Sequence, residues 1–229
     1  MTPVIILGAI TTVIEGAAAL SAAAGGPWRL VPVGPDDRPV LDALFADCSA
    51  QTVRLRFFGA PRTLPPEYAA ELLAGRPDVH DALVAYPRPH DGRYATTGPH
   101  PVGPVGLASL ATDPGSYPLT AELGVLVSDA WQRRGAGAAM TAALLDRARA
   151  RGVERVAACV LPARAALLRA MAGRLGLVPA ASPAPGAPPA VTYDRTGDSL
   201  TAVYRLRPTA DRRGTRGKAP DDEAPDDDT

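Results

Sequence analysis

A short glycine-containing loop carries the residue types that bind a phosphate group. Gly135 and Gly137 stand between an apolar, strand-like run at 121–128 and an apolar, helix-like run, and Arg133 and Arg134 precede them. The first amides of a helix have no intrahelical partner, and the helix dipole adds about half a positive charge at that end. Glycines let a large anion approach those amides closely. The loop therefore predicts a site for a phosphate or a pyrophosphate.

Two common phosphate-binding loops do not fit this spacing. A dinucleotide-binding loop has Gly-x-Gly-x-x-Gly almost directly after its strand. Here seven residues, 128–134, separate the strand from Gly135, and Met140 occupies the position of the third glycine. The Lys-Ser/Thr pair of a P-loop is also missing. Close packing of a helix on a strand would explain a Gly-x-Gly alone, but the longer string that begins at Gln132 is more specific.

The string Gln132-x-x-Gly135-x-Gly137 resembles the acetyl-CoA signature of the GNAT family of N-acetyltransferases, Gln/Arg-x-x-Gly-x-Gly/Ala. The resemblance covers about residues 28–206. It implies an α+β (mixed α/β) fold, with a central mixed, mostly antiparallel sheet, a splayed cofactor strand and flanking helices. It also implies acetyl-CoA as co-substrate, with the strand along the pantetheine arm and the loop around the pyrophosphate. The residues implied to bind acetyl-CoA are Val125, Leu126, Val127, Arg133, Arg134, Gly135, Ala136, Gly137 and Ala138.

A second string, at 48–58, is similar to a Ser-x-x-Thr/Ser-x-x-x-Arg-Phe segment of the bacterial protein-lysine acetyltransferase branch. The matching residues are Ser49, Thr52, Arg56 and Phe57. The resemblance implies a primary amine as acceptor, with a protein lysine slightly favoured. The alternative is that the apolar residues of this string are core and that its arginines are solvated.

The resemblance gives Glu122 a catalytic role. At pH 7 only about one lysine amine in a few thousand is neutral and able to attack a thioester. A positioned carboxylate can take the proton, and members of this branch carry a glutamate at the point where Glu122 interrupts an apolar strand. A strand amide near Val125 would stabilise the developing oxyanion. The alternative is that Glu122 is a charge at a sheet edge that faces solvent.

The chain departs from the family after its fifth predicted strand. The segment 162–168 holds neither the Asn that often contacts the cofactor nor, further along, the Tyr that often serves as general acid. A weak or inactive acyl-CoA-binding sensor or interaction module therefore stays open as an alternative. An acetyltransferase for a small amine is the other.

Charge and composition narrow the remaining classes of function. Lys+Arg and Asp+Glu are both 24, so the formal net charge of +0 argues against general nucleic-acid binding, which needs a basic footprint. Cys48 and Cys159 form neither a disulfide framework nor a zinc site and are expected to be ordinary buried thiols. His80, His90 and His100 are spaced by ten and are expected to be surface loop histidines, so we expect no metal.

The pattern of apolar residues and turn signals divides the chain into strands and helices. Strands are predicted at 28–33, 82–86, 105–111, 121–128 and 155–161, and a final hairpin at 190–194 and 200–206. Helices are predicted from Asp36 and Asp37, as caps, to about 48, and at 65–74, 135–151 and 163–174. Long loops are predicted at 87–101 and 182–189.

Both ends of the chain differ in composition from this central part. Residues 1–26 form an apolar N-terminal extension, either an added strand or helix or the product of a start codon placed too early. Its run at 3–14 is shorter than the ~20 residues of a membrane span, and no Lys or Arg precedes it. Residues 208–229 hold four basic and seven acidic residues and no large apolar side chain, which predicts a disordered acidic tail. We expect a cytoplasmic protein with a 27–207 acetyltransferase domain and no membrane partner; the sequence does not predict the oligomeric state.

Overall fold

The fold is given by a computed structural model that describes residues 26–88, 103–179, 191–193 and 199–206. The predicted loop at 87–101, with His90 and His100, lies almost wholly outside the described residues. So do the loop at 182–189, the turn at 194–198, and nearly all of the two terminal segments. The division into 1–26, 27–207 and 208–229 therefore stays a prediction.

The described strands form one mixed sheet in the order β1-β2-β3-β4-β5-β8-β6, with β7 paired to β8. All neighbours are antiparallel except β4 and β5, which are parallel. The strands are β1 Trp28–Pro32, β2 His80–Pro87, β3 Gly106–Asp113, β4 Thr120–Val127, β5 Arg155–Val160, β6 Val178–Pro179, β7 Val191–Tyr193 and β8 Leu200–Arg205. The predicted fold class and the predicted strands are confirmed, whereas β6 was not predicted.

Helices cover both faces of this sheet. They are α1 Arg38–Ala46, α2 Ala50–Phe57, α3 Pro66–Leu73, α4 Ala136–Ala150 and α5 Ala165–Leu175. Short 3₁₀ helices cover Asp129–Trp131 and Pro162–Arg164. Within the described part of the chain, no helix is both long enough and apolar enough to span a membrane.

Successive residues of β4 belong to different sides of the core, because side chains alternate along a strand. Leu123, Val125 and Val127 pack with α4 and α5 on one face. Leu126 packs with α1–α3 on the other. Glu122 and Gly124, which share the parity of Leu126, therefore lie on the α1–α3 face.

The first two helices differ from the sequence expectation. Asp37 occupies the N-cap position of α1, but its side chain accepts a hydrogen bond from the Gly34 amide (2.7 Å) and caps no helical amide. The cap role expected of this residue is wrong. Helix α2 was not predicted; Ser49 caps it by accepting a hydrogen bond from the Thr52 amide (3.2 Å). Two of its four buried residues, Thr52 and Arg56, are polar. Its buried face therefore lacks the regular spacing of apolar residues that predicts a helix.

Candidate functional site

The sheet opens between its two parallel strands. Pairing between β4 and β5 ends at Leu123 and Ala158, although β4 continues to Val127 and β5 to Val160. Over the same stretch β4 stays paired with β3 on its other side. The backbone of 124–127 thus borders a gap on the β5 side. Val125, Leu126 and Val127, the predicted strand contacts, all lie along this gap, and they are at most 1% exposed.

The predicted phosphate loop lies directly at the end of β4. After the 3₁₀ helix, Arg133 (φ 60°) and Gly135 (φ 93°) both adopt the left-handed conformation, and α4 starts at Ala136. Among the described residues no side chain caps α4, so the amides of its first turn have no side-chain acceptor there and can bind a ligand. Ala136, Gly137 and Ala138 in that turn are buried. The strand gap and the loop therefore follow one another along the chain, joined by the 3₁₀ helix Asp129–Trp131.

Two arginines bring positive charge to this loop. Arg133 and Arg134 are both exposed. The guanidinium of Arg134 lies 5.1 Å from the centroid of the Trp131 ring. Trp131 in turn meets Trp28 edge to face, with ring centroids 6.0 Å apart. Arg134 is thus held by a cation–π contact on an aromatic pair.

Glu122 occupies an inner strand of the sheet. It is half-buried, and its neighbours across β3 and β5 are Ala111 and Ala157. The two residues directly opposite Glu122 on the neighbouring strands are therefore both small. β4 has a partner strand on each side, so Glu122 does not lie at a sheet edge, and its side chain is partly exposed.

Arg56 lies on the same face of β4 as Glu122. It is 1% exposed, and a Cβ atom at Gly124 would overlap its guanidinium group. Its Nη2 donates to the Tyr68 hydroxyl (2.9 Å), which lies 3.0 Å from Ser109 Oγ. The alternative that the arginines of 48–58 are solvated is wrong for Arg56 and right for the exposed Arg54. Arg56 thus places a buried positive charge beside Gly124, two residues along β4 from Glu122.

Ser49 and Thr52, two further matching residues of that string, contact the loop before α4. Both donate hydrogen bonds to the Asp129 carboxylate, and Gln132 donates to Thr52. Asp129 was missed at the sequence level. Its place after a strand indicates a turn, but its partners lie 77–80 residues earlier in the chain, where local patterns give no information. Tyr68 and Ser109 were missed for the same reason.

The described cysteine and histidine residues do not form a metal site. Within the described ranges no group of three His, Cys, Asp or Glu residues could hold a metal ion. Cys48 and Cys159 are free thiols, half-buried and buried respectively. His80 contradicts the expectation of a surface histidine, because it is 4% exposed in β2, with Nδ1 3.1 Å from Glu71 Oε2. Burial, reinforced by the positive charge of Arg56, lowers the pKa of His80 to about 4.

His80 should make folding stability depend on pH. In the unfolded chain its pKa returns to about 6.5, so below that pH the unfolded chain binds a proton that the folded protein binds only near pH 4. Stability is therefore full above pH 6.5 and falls as the pH drops toward 4, by about 2–3 kcal/mol. Urea unfolding across this range measures the loss, which should be smaller in His80→Gln. An identical pH slope in His80→Gln and the wild type would contradict the assignment.

Comparisons with known proteins agree with this geometry. A profile described as the acetyltransferase (GNAT) family matches residues 60–176, just over half of the chain. No curated protein matches the sequence. Among solved structures, the GNAT domain of PAT from S. lividans is 21% identical, with a TM-score of 0.58 over 80% of this chain and 92% of that one.

Two further structures share the fold. An N-acetyltransferase from Staphylococcus aureus Mu50 is 14% identical, with a TM-score of 0.52 over 80% of this chain and 100% of that one. The protein yncA from Salmonella typhimurium, whose structure was determined with its cofactor acetyl-CoA, is 19% identical, with a TM-score of 0.52 over 86% of this chain and 99% of that one. At these identities the likeness is one of fold.

Proposed function

The chain belongs to the acetyltransferase (GNAT) family. From that premise we propose that it transfers the acetyl group of acetyl-CoA to a primary amine, and that a protein lysine is slightly favoured over a small amine as the acceptor. The observation that carries the proposal is the gap in pairing between β4 and β5, followed along the chain by a helix start, at α4, that no described side chain caps. A thioester with a long arm and a pyrophosphate matches both features. The preference for lysine rests on the resemblance of Ser49, Thr52, Arg56 and Phe57 to the protein-lysine branch.

Acetyl-CoA supplies the activated acetyl group and a good leaving group, and this chain supplies binding and proton removal. The amides that begin α4, at 136–138, with Arg133 and Arg134, would hold the pyrophosphate. The free edge of β4 at Val125, Leu126 and Val127 would align the arm by backbone hydrogen bonds. These assignments follow the sequence prediction and use groups that line the gap and the loop.

Glu122 would act as general base in this reaction, directly or through an ordered water. The acceptor nitrogen loses a proton to the Glu122 carboxylate while the C–N bond forms, the C–S bond breaks, and the thiolate departs. The amide near Val125 would donate to the carbonyl oxygen as negative charge develops there. Since a thiolate leaves readily, the reaction makes little demand on a general acid.

An acyl-CoA sensor or interaction module remains the second candidate function. The observation that favours it is that the segment after β5, at 162–168, begins with a 3₁₀ helix and supplies neither the Asn nor the Tyr frequent in the family. A sensor would bind acetyl-CoA without turning it over. Cytoplasmic localisation stays our proposal, and it suits two free thiols and a cytoplasmic co-substrate.

Thiol release from acetyl-CoA tests the proposal. The enzyme is incubated with lysine peptides, peptides with a free α-amine, small primary amines and intact candidate proteins, and products are identified by mass. We expect amine-dependent release that is highest with a lysine acceptor. Release only with small amines would overturn the lysine preference. Tight acetyl-CoA binding without release on any acceptor would favour the sensor.

A further inference from the structure

We propose that Thr52 and Asp129 are positioning residues that hold the loop at 128–135 in its pyrophosphate-binding shape, and that they couple acetyl-CoA binding to α2. The inference rests on the acetyl-CoA site proposed above and adds to it residues that would act by holding the loop in place. Its physical basis is one hydrogen-bonded bridge between two segments far apart in sequence.

The first half of the bridge joins Asp129 to the start of α2. The Asp129 carboxylate accepts hydrogen bonds from the Ser49 amide (2.8 Å), the Ser49 hydroxyl (2.8 Å) and the Thr52 hydroxyl (2.9 Å). Partial burial opposes ionisation, but these donors outweigh it and hold the pKa of Asp129 below its ordinary value. The carboxylate is thus charged at neutral pH and fixes the first turn of α2.

The second half of the bridge joins Thr52 to the loop. The Thr52 hydroxyl uses its hydrogen on Asp129 and accepts a hydrogen bond from Gln132 Nε2 (2.9 Å). The same amide nitrogen of Gln132 donates to the carbonyl oxygen of Val127 (3.1 Å), at the end of β4. One hydroxyl therefore connects α2, the 3₁₀ turn and the last residue of the cofactor strand.

The loop needs such support because its backbone is strained. Arg133, the residue next to Gln132, has φ 60°, a conformation that a residue with a Cβ atom adopts at a cost. A strained residue persists only where its surroundings fix it. Gln132, held on both sides by Thr52 and Val127, supplies that restraint immediately before Arg133. Loss of the bridge should let the loop relax and turn the α4 amides away from the anion.

Helix α2 connects the bridge to the strand that carries the proposed base, Glu122. Helix α2 carries Thr52 in its first turn and Arg56 one turn later, and Arg56 lies against Gly124 of β4. Coupling between binding events is reciprocal, so if α2 stabilises the loop, a ligand on the loop stabilises α2. Acetyl-CoA should therefore make the helix beside Glu122 more rigid before the acceptor arrives.

The first test is equilibrium binding of coenzyme A, which carries the pyrophosphate and undergoes no transfer. Thr52→Val removes the hydroxyl at nearly constant shape and should weaken binding about tenfold. Thr52→Ser restores the hydroxyl and should bind within about twofold of the wild type. Thr112→Val is the matched control, because the buried Thr112 hydroxyl has no hydrogen-bond partner within the described part of the chain. The affinity of this variant for coenzyme A should equal that of the wild type. Asp129→Asn should weaken binding in the same direction as Thr52→Val.

The second test is hydrogen exchange with and without coenzyme A, read together with steady-state rates. In the wild type, coenzyme A should slow the hydrogen exchange of the backbone amides at 49–57. In Thr52→Val saturated with coenzyme A, this protection at 49–57 should be smaller, whereas the amides at the start of α4 should stay protected. The KM for acetyl-CoA should rise about tenfold in Thr52→Val, and kcat at saturating acetyl-CoA should change much less.

The outcomes separate the bridge from the acetyl-CoA site itself. If the wild type binds no coenzyme A, the proposed site fails. If the wild type binds and folded Thr52→Val and Asp129→Asn bind as tightly, the site stands and the bridge is refuted. A fall in kcat and melting temperature with unchanged affinity would likewise refute positioning and leave a structural role only.

Discussion

Glu122→Gln should lower kcat with a lysine acceptor by about ten- to a thousandfold and leave coenzyme A affinity nearly unchanged. Glutamine keeps the size and hydrogen-bonding reach of the side chain but cannot take the amine proton. Affinity should persist because the substituted side chain lies on the α1–α3 face of β4, whereas the proposed pyrophosphate site is at the start of α4. Steady-state rates and calorimetry measure the two quantities separately.

The pH dependence distinguishes a lost base from a disturbed site. As the pH rises toward the pKa of the acceptor amine, about 10.4, more amine is neutral without help. The residual rate of Glu122→Gln should therefore recover with pH relative to the wild type. Glu154→Gln, which removes an exposed carboxylate between α4 and β5, is the matched control and should keep the wild-type profile. A wild-type rate and pH profile in Glu122→Gln would end its assignment as base.

The elements that carry Glu122 and the loop were predictable from the sequence because their signals are local. Strand β4 is an apolar run that ends in a turn, and α4 begins where glycines follow that turn and continues to the turn before Gly152. Both lie within one stretch of chain, so spacing alone fixes their order and contact. The left-handed conformation of Gly135 agrees with the choice of residue there.

The parts that sequence reasoning missed depend on contacts between distant segments. Arginine and histidine are residue types usually found at the surface, yet Arg56 and His80 are both buried around Tyr68. Tyr68 supplies a hydroxyl to one and an aromatic ring to the other, and nothing near either residue in the sequence indicates this. Helix α2 was missed for a related reason, since its buried side makes polar contacts with Tyr68 of α3 and with Asp129. The buried face of α2 is held by tertiary hydrogen bonds, so it lacks the regular spacing of apolar residues from which a helix is predicted.

Gly137→Glu should weaken coenzyme A binding by at least about a hundredfold, because two like charges about 4 Å apart repel by roughly 4 kcal/mol at an effective dielectric constant near 20. Gly137 is buried in the first turn of α4, among the amides proposed to hold the pyrophosphate. Gly137→Gln adds the same bulk without the charge, so the difference between the two variants isolates the electrostatic part. Calorimetry with coenzyme A gives both affinities.

Controls must separate lost binding from lost folding, since Gly137 is buried. Gly173→Glu places the same side chain at an exposed glycine of α5 with no atom near its Cβ position, so its affinity and melting temperature should match the wild type. If Gly137→Glu does not fold, Arg134→Glu tests the site instead, because Arg134 is exposed. It should weaken binding about tenfold, and less at high salt, where screening reduces the repulsion. Wild-type affinity in a folded Gly137→Glu protein, or in Arg134→Glu at low salt, would show that the pyrophosphate binds elsewhere.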